Sequence, residues 1–173
     1  RDITERKEAE ARLMESESHF RTIFESEPEC VKLVAPDWAR LHMNPSGLYI
    51  LGGDTLVQLL HQKVLPLVVP EDRPAYAELH ERVLAGESGI LEFRIVDLKG
   101  KPHTMEMHAV PLRNAYSVVT AMLGVTRDIT ERKQADAALR ESEARYHHVL
   151  DSMMEGCQII DFDWQYVYVN DAV

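Results

Sequence analysis

Residues able to do chemistry are plentiful here but scattered. The chain carries 8 histidines, 2 cysteines and 29 carboxylates. His103 and His108 lie five apart in an alternating segment, so as strand residues they point to opposite faces and share no metal. His147 and His148 are neighbours in a helical stretch, where adjacent side chains diverge. Cys30 and Cys157 have neither zinc-site spacing nor the density of a disulfide framework. Ser, His and Asp occur, but no motif sets a nucleophile beside a base. "GDTLVQLL" lacks the lysine of a phosphate loop. The carboxylates read mostly as solvated helix faces. The segment is therefore expected not to be an enzyme in its own right.

A stripe of large side chains has the better claim to a site. Phe93, Ile95, Met105 and Met107 fall on one face of two alternating segments, with Leu123 in the apolar segment that follows. Tyr76, Leu79, His80 and Val83 share the face of a helical stretch. Two readings stand. The stripe is simply core, or it lines a pocket for a small apolar or aromatic ligand, with Tyr76 and His80 as polar handles. Methionine walls repack readily, so the readings overlap.

The elements that position these residues are legible in outline. Residues 5–26 are helical in pattern, with Pro28 as the stop. "CVKLVAPDWARLHMN" reads as two short strands around a turn at Pro36-Asp37. Short helical turns follow, broken at Gly52-Gly53. "PEDRPAYAELHERVLAGE" is a fuller helix, with Glu71 and Asp72 in an acidic first turn and Gly86 as the stop. Three strands complete the pattern, and "SVVTAMLGVTRD", the most apolar, is expected at the centre. Strands, small helices, then strands again predict an α+β fold: a five-stranded antiparallel sheet with short helices on one face. At its exit Asp128 is a candidate cap for the next helix, with Glu131 reaching back and Thr130 a rival cap.

The strongest pattern is a repeat. "RDITERKEAEARLMESESHFR" at Arg1 returns as "RDITERKQADAALRESEARYH" at Arg127. The register continues: Asp37-Trp38 falls on Asp163-Trp164, and Asn44 on Asn170. A period this long is a whole domain, not a solenoid unit. Within the repeated helices, Arg6, Ala9, Leu13, Ser16, Phe20 and Ile23 recur at spacings of three and four. That is a thin heptad seam, with Ala135, Leu139 and Tyr146 as counterparts of Ala9, Leu13 and Phe20. The alternative is an amphipathic helix docked on its own domain.

Net charge is −10, which argues against nucleic acid and against an anionic membrane surface. No apolar run approaches the roughly 20 residues of a membrane span. The low cysteine content suits a reducing, cytoplasmic compartment.

"HMNPSG", "LKGKPHTMEMHAVPLR" and "GVTRDITERK", with the DIT-plus-charged-helix motif occurring twice, resemble a PAS domain with its C-terminal PAC motif. The resemblance divides the chain into the end of a preceding PAS domain (1–4), a linker helix (5–19), a complete PAS/PAC domain (20–130), a second linker helix (131–145) and the start of a following PAS domain (146–173). It implies a sensory and relay module of a bacterial signalling protein, a histidine kinase or a cyclic-dinucleotide enzyme. Asp128, Ile129 and Thr130 would pass a change in the sheet to a dimeric helical linker. The alternative is a ligand-free dimerisation spacer. The implied partners are a second copy, neighbouring PAS domains and a C-terminal output domain. Covalent flavin chemistry is disfavoured, because no cysteine lies in the short-helix region. Haem is disfavoured because Pro74-Ala75-Tyr76 stands where the axial ligand would lie. Non-covalent flavin or a small organic ligand stays open. "LGGDT" shares its GGD with the GGDEF signature of diguanylate cyclases, but Thr55-Leu56 replaces Glu-Phe. A helix stop with an Asp54 cap accounts for it.

If the heptad seam pairs two chains, Leu13→Lys with Leu139→Lys lowers the mass seen by light scattering at micromolar concentration from dimer to monomer. An unchanged mass removes the seam.

Overall fold

Alternating apolar residues build the sheet, and the computed structural model shows them paired as that alternation requires. It describes residues 2–60, 62–152, 155–170 and 172. The chain forms two compact units that meet at Thr130/Glu131.

The first unit opens with helix α1 (Asp2–Ser26). Strands β1 (Cys30–Val34) and β2 (Arg40–Met43) follow, then the short helices α2 (Pro45–Ile50) and α3 (Leu56–Leu59) and a 3₁₀ turn at Leu65–Leu67. Helix α4 (Arg73–Leu84) leads into β3 (Gly89–Val96), β4 (Pro102–Arg113) and β5 (Val119–Asp128). The five strands are antiparallel in the order β2-β1-β5-β4-β3, so β5 is central. α1 begins three residues earlier than the sequence pattern predicts, and residues 2–4 are helical. Their repeat counterparts Asp128–Thr130 leave a strand instead, because Asp128 pairs with Met105 of β4.

The core lies between the sheet and the helices that follow β2. Val34, Met122, Met107, Met105, Phe93 and Ile95 project from the sheet into it, and Leu59, Tyr76, Leu79 and Val83 meet them from the helices. Burying such side chains supplies roughly 1.5–3 kcal/mol each, before conformational entropy is counted. Gly124 of β5 faces this core; a Cβ there would lie 3.0 Å from Met107 Sδ and 3.6 Å from Lys32 Cε. Pro111 lies past the end of β3, where β4 has an open edge and a missing N–H is tolerated.

Two local expectations need correction. Asp72 precedes α4 but makes no capping bond. Its carboxylate instead takes the backbone N–H, Nε and Nη2 of Arg94 on β3. Asp54 caps nothing either: α3 starts after Thr55, which makes no side-chain cap bond.

Asn44 ties the entry of the unit together. Its Oδ1 accepts from Val31 N at 2.9 Å and Gly47 N at 3.2 Å, and its Nδ2 donates to the carbonyls of Glu27 and Glu29. One side chain thus holds the end of α1, β1 and the start of α2.

The second unit consists of helix α5 (Thr130–Asp151), which enters from the first unit, and a hairpin of β6 (Gln158–Ile160) and β7 (Tyr166–Val169). Asn170 repeats the role of Asn44: Oδ1 accepts from Cys157 N, and Nδ2 donates to the carbonyls of Leu150 and Glu155. Trp38 and Trp164 both adopt positive φ, 74° and 63°. Among the described residues, no helix is long and apolar enough to cross a membrane.

Asn44→Ala strands buried amide and carbonyl groups, each costing about 1–3 kcal/mol. The expected loss is about 2–4 kcal/mol in chemical denaturation of the first unit. Asn170→Ala leaves that transition where it was.

Candidate functional site

The stripe expected to line a pocket is mostly core. Tyr76, Leu79, His80, Val83, Phe93, Ile95, Met105 and Met107 are all buried. Tyr76 Oη donates to Met107 Sδ at 3.8 Å, and its ring meets Phe93 edge-on at 4.9 Å. His80 stacks on Trp38 at 3.9 Å, and its Nε2 lies 3.1 Å from Ala35 O. Burial pushes the His80 pKa below its usual value, and the Ala35 carbonyl only partly opposes this. That nitrogen is therefore engaged and is not offered to a metal.

Leu123 is a correction. Strand alternation turns it away from the core, with Val31, Leu33 and Leu112. Together with Phe20, Ile23 and Phe24 of α1 they line a separate groove of about 590 Å³ on the other side of the sheet. Phe20 and Phe24 stack there at 5.6 Å. Phe20, read as a seam residue, thus borders this groove. The remaining seam residues Ala9, Leu13, Ala135, Leu139 and Tyr146 are exposed on their helices.

Inside the core a cavity of about 20 Å³ remains, bordered by Phe93, Ile95 and Met105 of the expected set. Pockets for drug-sized ligands run to roughly 300–1,000 Å³. Neither haem nor flavin fits the inner cavity in this packing. The remaining border includes Lys32, Arg40 and Thr126, which the sequence reading did not single out. The signal was present in "CVKLV": alternation places Lys32 on the buried face with Cys30 and Val34. Cys30 is buried too, and burial raises its thiol pKa above the usual range, against the opposing influence of Lys32 and Arg40.

The exit from the sheet is closely tied. β5 ends at Asp128 and α5 begins at Thr130. Ile129 N donates to Thr104 O at 2.8 Å, and Thr104 N donates to Thr130 Oγ1 at 2.8 Å. Asp128 Oδ1 accepts from Thr130 N at 2.9 Å and from Thr130 Oγ1 at 2.5 Å. Ile129 itself is buried. Thr130, the rival cap, binds the strand next door instead. Asp128 Oδ2 faces His103 Nδ1 at 2.7 Å, while His103 Nε2 faces Asp97 Oδ2 at 3.3 Å. Burial pushes the Asp97 carboxyl up, but the Lys101 and Lys99 amides and the His103 ring outweigh it and leave it below the usual range. Asp128 follows the same pattern: burial raises it, and the two Thr130 bonds and His103 lower it further.

Both carboxylates have folded pKa values depressed below 3.8. Their contribution to stability is present above that value and is lost as pH falls through the folded values. Unfolding free energy should therefore decline steeply below about pH 4. In Asp97→Asn with Asp128→Asn the decline is shallower; equal slopes would remove these carboxylates from the account.

The family model described as PAS fold matches residues 24–134. Sporulation kinase E of Bacillus subtilis (strain 168) is 25% identical over 179 residues, which cover 98% of this chain and 22% of that protein. The probable diguanylate cyclase DgcE of Escherichia coli (strain K12) is 34% identical over 104 residues, covering 60% of this chain and 9% of it. The chain thus spans less than a quarter of either relative. The crystal structure of a PAS domain from Colwellia psychrerythraea superposes with a TM-score of 0.60 at 19% identity, covering 66% of this chain and 97% of that one.

Proposed function

The chain belongs to the PAS-fold family, and on that premise we propose that it is a sensory and signal-relay module of a larger bacterial signalling protein. The output of that protein is a histidine kinase or a cyclic-dinucleotide enzyme, a reading supported by the names of the two relatives, a sporulation kinase and a probable diguanylate cyclase. The module works in the cytoplasm, as a homodimer joined through α1 and α5, beside further PAS domains.

One observation carries the relay: the Thr104–Thr130–Asp128 clamp. A displacement of β4 or β5 moves Thr104 or Asp128, and the clamp passes that movement to the first turn of α5 without slack. The input must favour one of two packings of the sheet, since a ligand shifts an equilibrium only by its differential affinity. In a dimer, Leu139 and Tyr146 on α5 would convert a small rotation into altered packing against the twin helix. The same view explains why a helix 22 residues long has no buried residue in this single chain. A ligand-free spacer is the second reading, favoured by the small volume of the inner cavity.

The test fuses this chain through α5 to a histidine-kinase core and inserts one to seven residues after Tyr146. A relay predicts kinase output that collapses at three or four insertions and recovers at seven, a swing of roughly tenfold, within the usual range for coupled sites. Thr130→Val with Asp128→Ala reduces the swing. Output indifferent to insertion phase favours the spacer.

A further inference from the structure

Two cations are buried in the first unit with no carboxylate beside them. Lys32 on β1 and Arg40 on β2 are 7% and 1% exposed. Both border the 20 Å³ cavity, whose lining contains no Asp or Glu. Among the described residues neither enters an ion pair. Buried charges are ordinarily paired, because an isolated ion loses its hydration with nothing in return.

The hydrogen bonds are incomplete as well. Arg40 Nη1 donates to Leu59 O at 2.6 Å. Arg40 Nε has no acceptor, and it is the one buried side-chain nitrogen or oxygen among the described residues without a partner. Lys32 Nζ has three hydrogens. It donates to Thr126 Oγ1 at 3.3 Å and sits 5.8 Å above the Phe93 ring. A hydroxyl and a ring face do not neutralise an ammonium. Burial lowers the Arg40 pKa from its usual value, but a guanidinium does not give up its proton in a protein. The charge has to be met some other way.

We propose that the inner cavity is a binding site for one small monovalent anion, between a halide and formate in size, held by Arg40 Nε and Lys32 Nζ. Its volume matches that choice: room for one water-sized sphere takes roughly 10–15 Å³, and larger oxyanions would displace Phe93 or Ile95. Arg40 presents a planar donor and Lys32 a mobile one, so a spherical ion or a single carboxylate edge satisfies both. This names a ligand class for the sensory reading and rests on that reading only for its consequence. Thr126, the partner of Lys32, lies two residues before Asp128 on β5, so occupancy bears on the strand that continues into α5.

The experiment titrates potassium bromide against potassium gluconate at constant ionic strength and follows thermal unfolding of the full chain. Wild type should show a saturable rise of several degrees with bromide, and also with chloride and formate. Lys32→Met should show none. In gluconate alone it should melt no lower than wild type, because an uncompensated buried charge has been replaced by an apolar side chain of similar length. Crystals grown in bromide should give an anomalous peak between Lys32 Nζ and Arg40 Nε, an observation that stands even if the variant fails to fold. No saturable response in wild type, an equal response in Lys32→Met, or density at that point without anomalous signal, as from a water, each overturns the site. Bromide binding with phase-independent kinase output leaves the site standing and removes the relay. Phase-dependent output without bromide binding does the reverse.

Discussion

Strand β5 carries two obligations, and the fold is arranged around their conflict. It must sit in the middle of the sheet, paired with β1 on one side and β4 on the other. It must also leave the sheet as a helix within two residues. A strand that turns into a helix abandons its ladder and exposes first-turn amides that have no partner. The Asp128 side chain answers for Thr130 N, Thr130 Oγ1 answers for Thr104 N, and Thr104 O takes Ile129 N. The ladder is thereby extended past the last strand residue by side chains. Arg127 adds a bond to Glu29 from the other side, an exposed pair of modest worth. The exit is thus tied to β4 and to the segment before β1 by hydrogen bonds.

The two faces of the sheet behave differently. The inner face is filled almost completely, and its few polar groups are there against the ordinary preference of such groups for water. Lys32, Arg40, His80 and Thr126 share that side with methionines and Phe93. The outer face, with Leu123, Leu112 and Leu33, faces a wide groove under α1. A small ion belongs to the first face. Larger apolar contacts belong to the second. Reading Leu123 as a pocket residue merged the two, and the alternation of β5 separates them.

The repeat shows how far local chemistry reaches. Asn170 makes the same kind of bonds as Asn44, and Trp164 takes the same left-handed backbone as Trp38. These features need only a dozen or so residues of chain, so both copies of the repeat have them. In the second unit Phe162, Trp164 and Tyr166 are exposed.

Much was legible in the residues alone. The α+β class, the five antiparallel strands, the central position of the last one and the helix that leaves it all follow from alternation, helical spacing and turn residues. Those are local signals, because the side-chain period of a strand or helix is written in consecutive residues. The buried stripe was also visible, although whether it was core or pocket was not. That depends on how closely two layers approach, which Gly124, Met107 and Tyr76 settle only when brought together. The partners that charged and polar groups find far along the chain were decided by tertiary structure alone. Asp72 read as part of an acidic first turn, yet it precedes the helix and serves Arg94, 22 residues on. His103 meets Asp128 across 25 residues, and Lys32 meets Thr126 across 94. Hydrogen bonds and ion pairs act over about 3 Å, and no spacing along the chain says which distant atoms will come that near.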